Sequence, residues 1–303
     1  MLKKKHLSRG DVVFNIINYT IFFLFTLICI YPFYYLIINT ISNNQLSANG
    51  EINFLPREIQ FQNYISIFKL NGLPQAFLIS VLRTVIGTVL TVFASAFLGF
   101  MFTQQKMWKR KFWYRFMIIT MYFNAGLIPG FILMYNLHLT NNFLVYILPA
   151  IVQPFNVILA KTYIESTPIS LQEAAEIDGA GILRVFFTII LPLSVPILAT
   201  IAIFCAVGQW NSFQDTLIYI TDSNLYPLQY LLYTYLNASN SLAQLIRSNP
   251  SMSGSSIAAL ATQQTPSSIR MTVSVIVVIP ILIVYPWLQR YFVKGIMIGA
   301  VKG

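Results

Sequence analysis

Charged side chains are scarce in this chain. They make up only 9% of its 303 residues, whereas soluble domains contain about 25%. Hydrophobic residues make up 56% of the chain, which excludes an ordinary soluble domain and predicts an integral membrane protein. The net charge of +10 does not indicate a nucleic-acid partner, because the basic residues fall in short clusters between apolar stretches and not on one face of a folded domain.

Reactive groups are equally rare. The two cysteines, Cys29 and Cys205, lie inside apolar stretches, where a free thiol behaves as a small apolar residue with no disulfide or metal role. The sequence has no G-x-x-x-x-G-K-[ST] loop and no Gly-Lys pair, so this chain offers no phosphate-binding loop of its own for ATP. The apolar stretches contain no paired carboxylates, no Ser/His/Asp set and no cluster of His and Cys. An enzyme is therefore not predicted.

Six apolar runs are long enough to cross a hydrocarbon core of ~30 Å as helices of about 20 residues or more. The first of them is too long for the apolar core of a signal peptide. We therefore predict an all-α integral membrane protein whose six transmembrane helices cover residues 12–39, 78–103, 116–135, 143–163, 185–207 and 271–291.

The basic residues give this layout an orientation. Fourteen of them fall on the side of the two termini and four on the opposite side, in the segments 40–77 and 213–270. Lys and Arg are enriched in cytoplasmic loops. The sequence therefore predicts that the N- and C-termini are cytoplasmic.

Two features interrupt the predicted spans. Arg83 is the only basic residue inside one of them apart from Lys161 and Arg290, which lie within two residues of the predicted cytoplasmic ends of their spans. An ionisable group in a membrane helix is a functional candidate, but Arg83 lies near the outer end of its span, and the favoured interpretation is that its long side chain reaches the interface. The stretch from Asn124 to Gly130 contains Gly126 and Pro129, which permit either an interrupted helix facing protein or water, or a simple packing kink.

The charges concentrate in one short stretch between the fourth and fifth runs. A helix over residues 168–181 is predicted there, because Thr167 can cap a helix that opens with Pro168, and Gly179 or Gly181 can close it. Its acids are Glu173, Glu176 and Asp178, and the small side chains of Ala174 and Ala175 would let another protein surface approach closely.

This stretch resembles the EAA signature of the permease subunits of bacterial ABC importers: Glu-Ala-Ala, three residues, Gly, nine residues, then Ile-x-Leu-Pro. Every fixed position is present. In that family the segment is a cytoplasmic coupling helix that fits a cleft on the ATPase subunit and transmits its ATP-driven closure. The other interpretation is a polar loop that happens to contain Glu-Ala-Ala. The resemblance implies a coupling role for Glu173, Ala174, Ala175, Asp178, Gly179, Leu191 and Pro192.

The resemblance extends over most of the chain. It implies a type I ABC importer permease fold with three parts: 1–77, holding the N-terminal tail, first helix and outer loop; the transmembrane domain 78–292; and the cytoplasmic tail 293–303. The segments that look like carbohydrate-uptake permeases related to the lipoprotein/polysaccharide and alginate-type importers are 11–18, 124–129, 210–212, 222–228 and 291–303.

The same resemblance implies the partners. They are a second homologous permease, two ATPase subunits that carry the ATP and Mg, and an extracellular solute-binding lipoprotein. No cofactor is implied for this chain itself and no nucleic acid, and the implied location is the bacterial plasma membrane, where the chain passes through the lipid several times.

We therefore predict half of the translocation pathway for an oligosaccharide, working by alternating access. An ion-coupled or passive carrier is the alternative, but it would need an ion relay, and away from the cytoplasmic ends of the spans Arg83 is the only charged residue within them. A membrane-embedded enzyme lacks reactive residues. Side-chain amides can hydrogen-bond to sugar hydroxyls, and Trp can stack on the face of a sugar ring. The same side chains could instead form hydrogen bonds between helices. The predicted pathway residues are Asn124, Gln153, Asn156, Gln209, Trp210 and Asn211.

Overall fold

A computed structural model describes residues 9–68, 72–237, 268, 270–284 and 286. The predicted tail 293–303 and most of the segment 213–270 lie outside the described residues. Every regular element in the described part of the chain is helical. The chain divides into two compact units, Met1–Lys69 with Tyr235–Ile276, and Leu70–Thr234 with Val277–Gly303.

The first unit begins with a long apolar helix, α1, whose side chains are exposed along nearly its whole length. Asn39 closes its end by donating to the carbonyls of Tyr35 and Ile52. The helices of residues 9–68 are α1 (Arg9–Thr40), α2 (Asn44–Ala48) and α3 (Gln62–Phe68).

The second unit holds the remaining helices of residues 72–225. They are α4 (Leu73–Thr103), α5 (Arg110–Thr120), α6 (Leu127–Asn136), the 3₁₀ turns Phe143–Tyr146 and Leu148–Ala150, α7 (Pro154–Glu165), α8 (Ser170–Ile177), α9 (Ile182–Val185), a π-helical turn Phe186–Ile190, α10 (Leu191–Leu193), α11 (Val195–Asn211), α12 (Gln214–Tyr219) and the 3₁₀ turn Ser223–Leu225. Residues 228–237 form α13, and α14 is Arg270–Val284.

A stripe of small residues on α4 organises this unit. Buried side chains recur every three or four positions, so they lie on one face of the helix. Gly99 lies so close to α7 that a Cβ at this position would be 2.9 Å from the Ala160 Cβ and 2.9 Å from the Lys161 nitrogen. Small residues permit such close approach of helices. The small residues of the stripe are Ala76, Ser80, Gly87, Thr91, Ser95 and Gly99, and the large side chain of Arg83 is buried on the same face.

The largest hydrophobic core of the described residues joins α4, α7, the 182–190 segment and α11. Phe186 lies at its centre with no exposed surface, and its ring contacts the rings of Phe97 and Phe100 at centroid distances of 5.4 Å. We call this core the central cluster; its buried members are Ala96, Phe100, Ala160, Ile164, Val185, Phe186, Ile190, Leu198, Ile201 and Cys205.

Only α1 and α4 are single helices long and apolar enough to cross a membrane, among the residues that were described. The third predicted span is interrupted, as its Gly and Pro residues allow: α5 and α6 are separated by residues 121–126, which are not helical. The sixth corresponds to α14 as far as residue 284.

The fourth and fifth predicted spans are not continuous helices, which corrects the sequence prediction. The 143–150 turns meet α7 at 46°, and the 182–193 segment meets α11 at 77°. Pro154 begins α7 and holds Gln153 in an extended conformation, with φ −107° and ψ 108°, because the residue before proline is kept out of the helical region. In the fifth, Pro192 and Pro196 cannot donate backbone hydrogen bonds, so the helix breaks between them at Ser194.

Candidate functional site

The charged stretch folds as the short helix α8, which ends in a glycine turn. Gly179 has φ +80°, a left-handed conformation that glycine adopts without penalty. The Ala180 N–H donates to the Ala175 carbonyl at 2.9 Å, and the Gly179 N–H donates to the Glu176 carbonyl at 3.0 Å. This pair of bonds is a Schellman motif, and it shows that of the two candidate glycines Gly179, and not Gly181, ends the helix.

The start of α8 differs from the prediction. The helix begins at Ser170 and not at Pro168. Thr167 does not cap it: the Thr167 hydroxyl donates backwards to the Ile164 carbonyl at 2.6 Å, and a single 3₁₀ turn from Pro168 leads into the helix. The helical part of the predicted 168–181 segment is therefore Ser170–Ile177.

The two faces of α8 have different surroundings. Ala175 and Ala180 pack against the central cluster, whereas Glu173, Ala174 and Asp178 are exposed. Ile177 is 86% exposed, so a large apolar side chain stands on the same uncovered side as the acids. Sequence reasoning missed Ile177, although an apolar residue between two acids on a short amphipathic helix is a signal for a contact surface.

Polar contacts tie α8 to the loop that follows α4. The Gln104 Nε2 donates to the Gln172 Oε1 at 3.1 Å. The Lys106 Nζ and the Glu176 Oε2 are 2.7 Å apart, and both side chains are largely exposed. Such an exposed pair is worth only ~0–1 kcal/mol, so it orients the helix more than it stabilises it.

Leu191 and Pro192, the other predicted coupling residues, lie in α10 at the bend before α11. Leu191 packs against the central cluster, and Pro192 is exposed. Their place in the fold is the break in the fifth predicted span.

The predicted pathway residues occupy several different surroundings. Asn156 is buried, and its Nδ2 donates to the Gln153 Oε1 at 2.9 Å and to the Cys205 Sγ at 3.4 Å. Gln153 and Asn124 are exposed, and the Asn124 Oδ1 accepts from the Gly126 N–H at the start of α6. Asn211, also exposed, donates to the Val207 carbonyl of its own helix.

Trp210 is buried beside a cavity. Its Nε1 donates to the Val277 carbonyl at 3.0 Å, and its ring contacts Phe77 edge to face at a centroid distance of 6.4 Å. The open cavity of about 430 Å³ is lined mostly by apolar side chains of α4, α11 and α14. Its lining suits apolar groups better than sugar hydroxyls.

Gln209 joins a buried ion pair, and this overturns the interpretation of Arg83. The Arg83 side chain is 2% exposed, so it is enclosed by other residues of the chain and does not extend freely along the protein surface. Its Nη2 lies 2.5 Å from the Asp215 Oδ2, and the Gln209 Oε1 accepts from both its Nε and its Nη2. Asp215 was missed from the sequence, although it lies only eight residues beyond the fifth predicted span and a buried arginine in a membrane helix is expected to be paired.

The sequence of this chain is similar to the sequences of known transport proteins. The family described as "Binding-protein-dependent transport system inner membrane component" matches residues 92–298. The chain is 33% identical over 291 residues to the polygalacturonan/rhamnogalacturonan transport system permease protein YtcP of Bacillus subtilis, covering 96% of this chain and 99% of that protein. It is 32% identical over 298 residues to the protein LplC of the same organism, covering 98% of both.

A solved structure agrees with the fold. A chain of a bacterial ABC transporter involved in the import of the acidic polysaccharide alginate superposes with a TM-score of 0.82 and 27% identity, covering 95% of this chain and 100% of that one. The helical architecture, the EAA stretch on an exposed helix and these similarities agree. The chain belongs to the family of binding-protein-dependent transport system inner membrane components and is a permease of an ABC importer.

Proposed function

We propose that this permease forms half of a pathway for an oligosaccharide delivered by an extracellular binding protein. The observation that carries the proposal is the uncovered face of α8, on which Glu173, Ala174, Asp178 and Ile177 are exposed while the opposite face packs on the central cluster. A short helix with this division suits a partner that pushes on it. The carbohydrate names of the related proteins support the substrate class.

The division of labour follows from the missing phosphate-binding loop. Two partner ATPase subunits bind ATP and Mg, and a second homologous permease completes the pathway. Closure of the ATPases moves α8 and turns an inward-open bundle outward-facing, so that sugar leaves the binding protein for a central pathway between the two permeases. Glu173, Ala174, Ala175, Asp178 and Gly179 act at the ATPase contact, and Leu191 and Pro192 act at the bend behind it.

An ion-coupled carrier receives no support from the ion pair. Such a carrier needs an ionisable group that is free to change its charge as the ion passes. Arg83 is already engaged by Asp215, by Gln209 and by the Ser212 carbonyl. An arginine whose charge is already paired in this way is better suited to holding segments together than to passing on an ion.

Copurification tests the proposed function. The full chain is expressed together with candidate ATPase, second-permease and binding-protein subunits from the same organism, and is isolated through a tag on this chain. We expect the ATPase and the second permease to copurify, and ATP hydrolysis to increase with the loaded binding protein. A chain that carries sugar without any ATPase would contradict the proposal.

The six-span arrangement and the plasma-membrane location are part of the proposal. Both termini are cytoplasmic, the transmembrane domain covers 78–292, and the long connection 213–270 is outside. A reporter fused after Gly303 and another inserted at residue 245 are expected to lie on opposite sides of the membrane, because fourteen basic residues favour one side and four the other. Reporters that both lie on the same side would contradict the arrangement.

The sugar pathway is a further part of the proposal. Alanine substitution of a pathway residue is expected to lower uptake while assembly and basal ATPase activity stay near normal. Substitution of a residue that only joins helices costs ~0.6 kcal/mol of stability and lowers the amount of assembled complex. Uptake per assembled complex separates the two for Asn124, Gln153, Asn156, Gln209, Trp210 and Asn211. If all six act through the amount of complex alone, they are packing residues.

A further inference from the structure

Arg83 is the most buried charged residue of the described chain, with 1% exposure. Its guanidinium engages Asp215 through two nitrogens, at 2.5 Å and 3.3 Å, and also donates to the Ser212 carbonyl at 3.3 Å. The guanidinium carbon lies 4.3 Å from the centre of the Tyr146 ring. Four segments therefore meet at one cation: α4, the 143–146 turn, the end of α11 and α12.

Two helices connect this ion pair with the ATPase-coupling end of the unit. On α4, Arg83 and Phe100 of the central cluster are separated by about 26 Å at 1.5 Å per residue. On α11, Ile201 and Cys205 belong to the central cluster, and Gln209 lies one turn beyond Cys205. Ala175 of α8 packs against the central cluster. At this end, α8 therefore contacts a cluster to which both α4 and α11 contribute.

The helices touch closely between the two ends. A Cβ on Gly87 would lie 2.8 Å from the Gln209 Nε2, so the absence of a side chain at position 87 makes room for the Gln209 amide. That amide donates to the Tyr146 carbonyl at 3.1 Å while its oxygen accepts from Arg83. The Gln209 side chain therefore lies directly against α4 and is hydrogen-bonded to both Arg83 and the 143–146 turn.

On the far side, the ion pair holds residues 212–228, which we call the distal segment. The Tyr146 hydroxyl is 3.0 Å from the Thr216 Oγ1 and donates to the Leu225 carbonyl at 2.9 Å. The Leu228 N–H donates to the Ser80 Oγ at 2.8 Å. Asp215 is the charged anchor in a series of contacts that fix the distal segment to α4 and to the 143–146 turn.

We propose that Arg83 and Asp215 are positioning residues for transport, through which displacement of α8 reaches the distal segment. The inference rests on the proposed function, because it requires that α8 is moved by an ATPase. A bidentate Arg–carboxylate pair fixes direction as well as distance, whereas a buried ion pair adds little net stability compared with apolar groups of similar volume. The pair therefore fixes the relative position of α4 and α12 more than it stabilises the fold. An apolar replacement should remove this constraint and leave the fold intact.

The test uses the double variant Arg83→Met/Asp215→Leu in the complete complex with its ATPase subunits. Both charges are removed together, so no unpaired charge is left buried. An environment-sensitive dye is attached either to Ser223→Cys, in the distal segment, or to Gln105→Cys, in the loop tied to α8, after Cys29 and Cys205 have been replaced. The probe is ATP with vanadate, so no sugar is required.

In the otherwise unchanged chain we expect both dyes to respond to ATP with vanadate. In the double variant the Gln105 dye should respond as before, and the response of the Ser223 dye should fall at least fivefold. Lys161→Met/Glu165→Leu is the matched control, since it removes an ion pair within the single helix α7, and both responses should persist. A Ser223 response that persists in the double variant overturns the proposal, and so does the loss of both responses in an assembled complex.

A second variant keeps all charges. Gly87→Ala pushes the Gln209 amide away from its position and should reduce the Ser223 response by about half or more without affecting the Gln105 response. If the double variant fails to assemble, the Gly87→Ala variant provides the test. An unchanged response of the Ser223 dye in Gly87→Ala then overturns the proposal. If ATP moves neither dye in the unchanged chain, the proposed function itself is wrong, which distinguishes its failure from that of the inference.

Discussion

Replacing Gly179 by aspartate is expected to reduce uptake roughly 30-fold at normal expression. An added carboxylate beside Asp178 would enlarge the end of α8 at its proposed contact with the ATPase, and loss of a central contact in an interface costs about 2 kcal/mol, equivalent to roughly 30-fold weaker association. Binding of sugar to the binding protein should not change. The measurements are uptake and the amount of ATPase that copurifies.

The change has a second effect that must be separated from docking. Gly179 has φ +80°, and a side chain in this conformation costs about 1–2 kcal/mol, although a Cβ there would meet no atom within 4 Å. Gly50→Asp is the matched control: Gly50 has φ +75° and equally open surroundings, but it lies outside α8. Uptake should remain near normal in the control. Equal losses in both variants would attribute the effect to backbone strain, and full uptake with Gly179→Asp would argue that α8 is only a loop.

Replacing Gly99 by leucine is expected to destabilise the assembled permease by about 3 kcal/mol. The side chain would enter the contact of α4 with α7, where the nearest atoms are the Ala160 Cβ and the Lys161 backbone nitrogen at 2.9 Å. Neither atom belongs to a flexible side chain, so the helices themselves must separate, and overpacking of this kind costs about 1–3 kcal/mol or more. The apparent melting temperature of the purified complex should fall by roughly 5–10 °C.

Gly208→Leu controls for the helix and the size of the new side chain. Gly208 lies within α11, and a Cβ there would meet no atom within 4 Å. Its melting temperature should stay within a few degrees of the unchanged complex. A Gly99→Leu complex as stable as the Gly208→Leu complex would mean that α4 and α7 do not approach as closely as described.

Local sequence patterns predicted the features whose causes are local. Gly179 ends α8 because a left-handed turn favours glycine, and the Gly and Pro residues of 124–130 mark the gap between α5 and α6. The prolines of the fourth and fifth predicted spans lie where those spans bend. The bend angles depend on how the segments pack, which no local pattern contains.

The partner of Arg83 could not be predicted because it lies 132 residues away. Because the contact with Asp215 is not visible in the sequence, the position of Arg83 near the end of a span favoured a side chain that reaches the membrane–water interface. The roles of Gln209 and Trp210 were hidden for the same reason: their side chains bind Arg83 and the Val277 carbonyl, and both partners come from other segments. Polar residues on a membrane helix indicate that contacts exist, but not with which helix.

The length of α1 has a consequence for the surrounding lipid. Its 32 residues extend about 48 Å, whereas the hydrocarbon core is ~30 Å thick and helices tilt by at most about 40°. At that tilt α1 still projects along the membrane normal over roughly 37 Å, which exceeds the hydrocarbon but fits within the ~40–45 Å that includes the headgroups. In the proposed orientation, the ends of α1 therefore lie at headgroup depth, and a change in bilayer thickness of a few ångströms would be absorbed by the tilt of this helix.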